Sequence, residues 1–238
     1  MGELGWCLAA LTMLSSTALA GTDDDGFGTK SREQAEARVL ATLAPLARRK
    51  GDHLVLRARH GKPATFDNVH PDFGEGEASY RDFRLIGVSP DKKFFIVEAT
   101  FYEGGNVFWV SRGDGKKYAV EAAAKMSQDH QHVVTVNASD AYDINGVVLW
   151  AIRNDALVER FRFEPAGIVY YGFVRWLSPT SALLKKRYVA DKTLCPTSSF
   201  MEHPVTLRRT AGTWALDERF DRQSLRCHDD LRPAAQMD

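Results

Sequence analysis

The chain has 238 residues, enough for one domain or at most two small ones, and 44% of them are hydrophobic, so a sizeable core is possible. Its 31 basic and 31 acidic residues cancel. That balance excludes the basic stripe of a nucleic-acid-binding surface and the polybasic patch of a membrane-surface protein.

The N-terminus predicts export. Trp6 to Leu14 is a short apolar run, followed by Ser15-Ser16-Thr17 and then Ala18-Leu19-Ala20. Small residues at Ala18 and Ala20 suit signal peptidase, so cleavage is predicted between Ala20 and Gly21. The segment before the run carries Glu3 and no Lys or Arg, which departs from the usual pattern. The run is too short to anchor the chain across a bilayer, and no later segment is long and apolar enough to span one. A signal peptide over 1–20, a disordered lead-in over 21–30 and one β-rich domain over 31–238 are expected, in the periplasm or outside the cell. The lead-in is acidic and glycine-rich, and an unordered Asp23-Asp24-Asp25 triplet holds no cation tightly.

Cysteine usage agrees with that address. Cys7 falls inside the predicted signal peptide, leaving Cys195 and Cys227 as a pair in an oxidising compartment. A Cys195–Cys227 disulfide is therefore predicted. Closing its loop of about 33 residues removes chain entropy worth about 3.7 kcal/mol.

One helix is predicted, over 31–49. Ser31 fits an N-cap, and Glu33 and Glu36 fit the first turns. Ala35, Val39, Leu40, Leu43 and Leu46 recur at helical spacing, and Arg48, Arg49 and Lys50 suit the C-terminal dipole before Gly51. Lys185-Lys186-Arg187 reads as a solvated basic face.

After Gly51 the apolar period becomes two. Strands are predicted at 53–59, 64–69, 80–88, 94–102, 107–111, 117–121, 133–137, 147–153, 157–163, 168–177, 182–189, 205–209 and 213–217, separated by Gly, Pro, Asp and Asn turns. A repeat runs through them. Val88-Ser89-Pro90-Asp91, Met126-Ser127-Gln128-Asp129 and Leu177-Ser178-Pro179-Thr180 each place a Ser-initiated turn before a strand. Trp109 and Trp150, each followed by a turn and a further strand, lie about 41 residues apart, the length of a four-stranded propeller blade. The predicted fold is mostly β: an N-terminal helix followed by antiparallel four-stranded propeller-like units at 80–121, 122–165 and 166–218, with half a unit at 53–69. A β-sandwich is the alternative.

Tyr80-Arg81-Asp82-Phe83, Tyr102-Glu103-Gly104-Gly105, Leu149-Trp150-Ala151-Ile152 and Trp176-Leu177-Ser178-Pro179-Thr180 together resemble a family of uncharacterised exported bacterial proteins. Members of that family pair propeller-like Ser-Pro-Asp-Gly turns with Trp-bearing strands. The resemblance spans about residues 53–218 and rests on structural turns. It implies a fold and a compartment, and carries over no catalytic residue. The chain departs at Ser127-Gln128-Asp129, where the turn proline is missing.

No catalytic or cofactor motif stands out. His130 and His132 would share a face on a strand, a half-site for zinc or copper, but His130 falls where the first repeat has the turn residue Lys92, so no metal is expected. Asp140, Asp143, Asn145 and Gly146 look like the opening of a calcium loop, yet the EF-hand spacing would need oxygen ligands at Ala141 and Ile152. Ser127, Asp129 and His130 are neighbours in sequence, which does not make a triad. Glu98 and Glu103 form the kind of carboxylate pair that any strand protein contains.

Aromatic side chains are the remaining lead. Phe101, Tyr102, Phe108 and Trp109 straddle a hairpin loop at 103–106, and Tyr170, Tyr171, Phe173 and Trp176 crowd another strand. Most such residues fill gaps between sheets, and Tyr102 and Glu103, at the loop, are the expected exposed binding pair. The functional expectation is an exported, non-catalytic binding module that recognises a protein partner in the periplasm or cell envelope, without a cofactor. An immunity protein against a delivered toxin is one form of it, and a hydrolase of an envelope polymer is the competing class.

Overall fold

The computed structural model describes residues 29–72, 76–137 and 145–229. The predicted signal peptide with Ala20 and Gly21, most of the lead-in, and Asp140 and Asp143 lie outside them.

Helix α1 (Thr29–Leu43) is shorter at its C-terminal end than its periodicity predicts. Pro45 cannot continue a helix, and the chain turns there. Arg48, Arg49 and Lys50 therefore lie not at a helix end but in strand β1 (Ala47–Lys50). Ser31 sits inside the helix rather than capping it.

Strands β1, β2 (His53–Leu56) and β3 (Ala64–Asp67) form a three-stranded antiparallel sheet. Three four-stranded antiparallel sheets follow in chain order. The first contains β4 (Arg81–Val88), β5 (Phe94–Phe101), β6 (Gly104–Ser111) and β7 (Lys117–Ala119). The second contains β8 (Lys125–Met126), β9 (His132–Asn137), β10 (Gly146–Arg153) and β11 (Ala156–Phe163). The third contains β12 (Val169–Ser178), β13 (Ser181–Val189), β14 (Phe200–Thr210) and β15 (Thr213–Asp217), with β16 (Arg226–His228) added beside β14. All thirteen predicted strands are present. The added ones are β1, the two-residue β8 and β16.

The sheets stack face to face in sequence order. Val39, Leu40 and Leu43 of the helix join Leu54, Leu56 and Phe66 against Leu85, Phe95, Val97 and Val110 of the first four-stranded sheet. Phe94, Trp109 and Tyr118 of that sheet meet Val133, Ile152 and Leu157 of the second. Val134, Leu149 and Val147 on the second sheet's other face meet Tyr171, Leu184, Leu207 and Trp214 of the third. Successive stacking through four sheets is the propeller-like arrangement rather than a two-sheet sandwich.

The Ser turns explain the repeat. Ser89 Oγ donates to Asp91 Oδ1 (2.5 Å) and accepts from the Phe94 N–H (3.0 Å), while Asp91 Oδ1 accepts from the Lys93 N–H. Ser127 repeats this with Asp129 (2.6 Å), the His132 N–H (3.0 Å) and the Gln131 N–H. Lys92 and His130 occupy the same left-handed position, at φ 59° and 57°. The turn therefore needs Ser and Asp but not the proline that Gln128 replaces. The third copy differs: Ser178 pairs directly with Ser181 across a two-residue turn.

Trp109 and Trp150 are offset. Both lie on the third strand of their sheets, but Trp109 pairs with Ile96 and Trp150 with Val133. Aligning the two Ser turns matches Phe95 to Val133, so Trp150 corresponds to Val110, one residue past Trp109. One residue on a strand reverses the face. The two indoles consequently enter the same layer from opposite sides.

Candidate functional site

Helix α1, β1 and the segments flanking β3 and β4 enclose a cleft of about 560 Å³. Strand alternation builds its wall: Tyr80, just before β4, and Asp82 and Arg84 within it point to one face, while Leu85 enters the core. From the helix, buried Glu36 accepts two hydrogen bonds from Arg49 (2.8 and 2.9 Å) and one from the Leu85 N–H (2.8 Å). Arg49 also donates to the Phe83 carbonyl. This pair fastens the helix to β1 and β4, and its hydrogen-bonding capacity is largely used.

Asp82 is held similarly. Asn68 Nδ2 donates to its Oδ1 at 2.6 Å, and Asn68 Oδ1 accepts from the Phe83 N–H. Arg84 bridges Asp82 and Glu98, with Nε 3.2 Å from Asp82 Oδ2 and Nη2 3.3 Å from Glu98 Oε2. The Nε contact is an ion pair without hydrogen-bond alignment. Half-exposed His70 stands between two carboxylates: Nε2 is 3.6 Å from Asp82 Oδ1 and Nδ1 is 3.8 Å from Asp52 Oδ1. Its ring lies 5.5 Å from that of Tyr80. A histidine flanked by carboxylates can pass a proton. Among the described residues no Ser, Thr or Cys lines the cleft as a nucleophile.

Tyr102 and Glu103 form the β5–β6 tip itself. The sequence places the loop at 103–106, but Gly104, Gly105 and Asn106 belong to β6. Tyr102 is 55% exposed and Phe101 is also exposed. The nearby Glu77 carboxylate raises the Tyr102 hydroxyl above its ordinary pKa. Glu77 belongs to the short 3-10 turn Glu77–Ser79. Because Arg81 pairs with Phe101, Tyr80 and Tyr102 mark the same end of the first four-stranded sheet.

Other sequence candidates separate. His130 is an exposed turn residue and His132 is buried at the start of β9. Among the described residues no group of three or more His, Cys, Asp or Glu is placed to hold a metal. Ser127 Oγ is committed to Asp129 and the His132 backbone, not to His130. Glu98 pairs with Arg84 and Arg32, away from the tip that carries Glu103. Asn145 Nδ2 donates to the Val169 carbonyl (2.8 Å), joining the second sheet to the third, and Gly146 begins β10. Phe108, Trp109, Tyr171 and Trp176 fill inter-sheet cores. Cys195 and Cys227 form the disulfide, with Cα atoms 5.7 Å apart. It tethers the β13–β14 connection to β16 beside Ala190 and Met201.

Sequence reasoning passed over Asp52, His70, Asp82 and Arg84. The polar alternation Tyr80-x-Asp82-x-Arg84, on a strand whose other face is apolar, was the available signal.

Among the described residues no helix is long and apolar enough to cross a membrane. No protein-family model matches the chain, and no curated protein matches it. Among solved structures it is similar to a crystal structure from Bacteroides uniformis named as a 6-phosphogluconolactonase, at 12% identity and a TM-score of 0.34, covering 77% of this chain and 70% of that one. A likeness at that level carries no inference about activity.

Proposed function

We propose that this chain is an exported, non-catalytic binding module that recognises a protein partner in the periplasm or cell envelope through the β5–β6 tip. The exposed Tyr102, at the tip of a two-residue hairpin, carries the reading. A stiff hairpin presents an aromatic anchor at low entropic cost, and anchors of this kind dominate interface energetics. Glu103 beside it adds charge that selects among partners. Support also comes from the main cleft, where Glu36, Arg49 and Asp82 are engaged in holding elements together. The test is affinity capture from envelope extract with the wild type, Tyr102→Ala and Glu103→Ala. A partner retained by the wild type should weaken at least about 30-fold with Tyr102→Ala, the effect of losing a hot spot worth about 2 kcal/mol. Undiminished capture by both variants would overturn the reading. Mass spectrometry of envelope protein should find a mature N-terminus at Gly21. An immunity protein would be recognised by a captured toxin whose activity the wild type blocks and Tyr102→Ala does not.

His70 between Asp52 and Asp82 favours one second reading, hydrolysis of an envelope polymer. There, turnover of peptidoglycan or glycan would fall at least about 100-fold with His70→Ala, in line with loss of a general acid or base. It would survive Tyr102→Ala. Absence of turnover by the wild type sinks that reading.

A further inference from the structure

A second cleft, about 340 Å³, opens between the second and third four-stranded sheets, away from the tip and the His70 cleft. Three guanidinium groups line it: Arg153 at the end of β10, Arg160 on β11 and Arg209 near the end of β14. Among the described residues no carboxylate lines it. Arg160 owes its place to a bulge: Leu149 pairs with Phe161 and Trp150 with Glu159, leaving Arg160 as the extra residue. Bulges of this kind redirect a side chain.

Several strand arginines elsewhere are neutralised. Arg49 meets Glu36, Arg162 meets Glu159 and Glu121, Arg187 meets Glu202, and Arg208 meets Asp217. Arg153 and Arg160 have no carboxylate partner among the described residues, and Arg209 commits only its Nε, to the Gly212 carbonyl (3.2 Å). The corresponding junction between the first and second four-stranded sheets is compensated, with Lys93 Nζ 3.5 Å from Asp155 Oδ1. A fold that balances its charge at one junction leaves three like charges converging at the next. Such crowding is unfavourable unless an anion fills it.

The floor adds an independent observation. His132 is only 8% exposed, lies edge-on to Trp214 at 5.1 Å, and its Nδ1 is buried without a hydrogen-bond partner. A buried polar atom left unpaired costs free energy that a ligand group can recover. We infer that this cleft is a binding site for a small oxyanion of two or more negative charges, held by the guanidinium groups of Arg153, Arg160 and Arg209. The planar fork of arginine accepts phosphate and carboxylate groups alike, and the cleft's size suits a small molecule rather than a polymer.

The experiment is isothermal titration of the full chain in low-salt buffer with inorganic phosphate, pyrophosphate and citrate. At least one should bind saturably at a single site and weaken steeply as salt is added. Arg160→Gln and Arg209→Gln should each lower that affinity at least tenfold. Arg57→Gln, an exposed arginine outside the cleft, should not. All three side chains are replaced at the surface, and circular dichroism checks that each variant remains folded. Binding of the phosphates alone identifies a phosphate-bearing ligand, and binding of citrate alone a carboxylate one. No saturable binding by any of the three probes, or binding unchanged in both cleft variants, would overturn the proposal.

Discussion

His132 and His203 are buried imidazoles whose pKa values lie below the ordinary value. Burial is the main cause for both; the charges of Arg209 and Arg153 add to it at His132, and that of Lys186 at His203. Asp129 and Glu218 respectively oppose the shift. As pH falls past about 6.5, the unfolded chain takes up these protons before the folded chain does. The stability each neutral imidazole contributes is complete above that pH and is lost as pH falls through the folded value. The melting temperature should therefore drop as pH falls below about 6.5. Carboxylates held low, such as Asp129 and Glu218, lose their contribution only in a more acidic window. A melting series with His132→Gln combined with His203→Gln should flatten the slope just below about pH 6.5 and leave the acidic limb; an unchanged slope would mean that other groups set it. At this scale the sequence was partly legible. The turn role of His130 followed from its alignment with Lys92. The arginine cleft was invisible, because its three guanidinium groups come from strands in two sheets with no common spacing.

Strand pairing concentrates one charge pair where water cannot reach it. Arg187 on β13 and Glu202 on β14 are direct neighbours, both buried, with Nη2 2.7 Å and Nε 3.1 Å from Oε2. Lys185 Nζ reaches the other oxygen of Glu202 at 3.3 Å. Removing the carboxylate takes two hydrogen bonds and an adjacent charge from a buried guanidinium, so Glu202→Ala should cost about 3–5 kcal/mol. The double variant Arg187→Met with Glu202→Leu should recover much of that loss, since packed apolar groups can replace a buried pair. Chemical denaturation of the three proteins checks it, and a double variant no better than the single would show that the strands need the charges themselves. Lys185-Lys186-Arg187 had looked like a solvated face. Arg187 is instead buried, on the face of β13 opposite Ala182 and Leu184, and composition alone does not reveal which residue of a basic triplet is covered. Element boundaries show the same limit. The helical spacing that led to residue 49 was interrupted by Pro45, and β8, with two residues, is too short to leave a period.

Across the whole molecule, the unit boundaries expected near 80–121, 122–165 and 166–218 agree with sheets that span Arg81–Ala119, Lys125–Phe163 and Val169–Asp217. Turn chemistry made them legible, because Ser and Asp fix the first hairpin of two units by hydrogen bonds within six residues. What joins the units was not legible, since inter-sheet packing depends on which face each strand presents, and Trp109 and Trp150 differ there by one residue. The disulfide belongs to this scale too. It holds β16 and the 190–199 connection against the last sheet. Replacing Cys195 and Cys227 together by Ser should lower unfolding free energy by about 3.7 kcal/mol, the entropy of the loop it closes. Denaturant titration of oxidised wild type and variant measures it, and equal midpoints would mean that the bond constrains nothing the fold does not already fix.

The stacking order has a consequence for how the chain is made. Each inter-sheet layer joins segments that are consecutive along the chain, from the helix and β1–β3 to the third four-stranded sheet. A polypeptide emerging N-terminus first therefore always offers a finished apolar surface to the sheet that comes next, and no early strand waits for a late partner. Contacts made between near neighbours in sequence favour rapid assembly. The covalent tie comes last along the chain: Cys227 lies 32 residues beyond Cys195 and on the final described strand, so the bond closes a stack whose layers are all built from earlier segments.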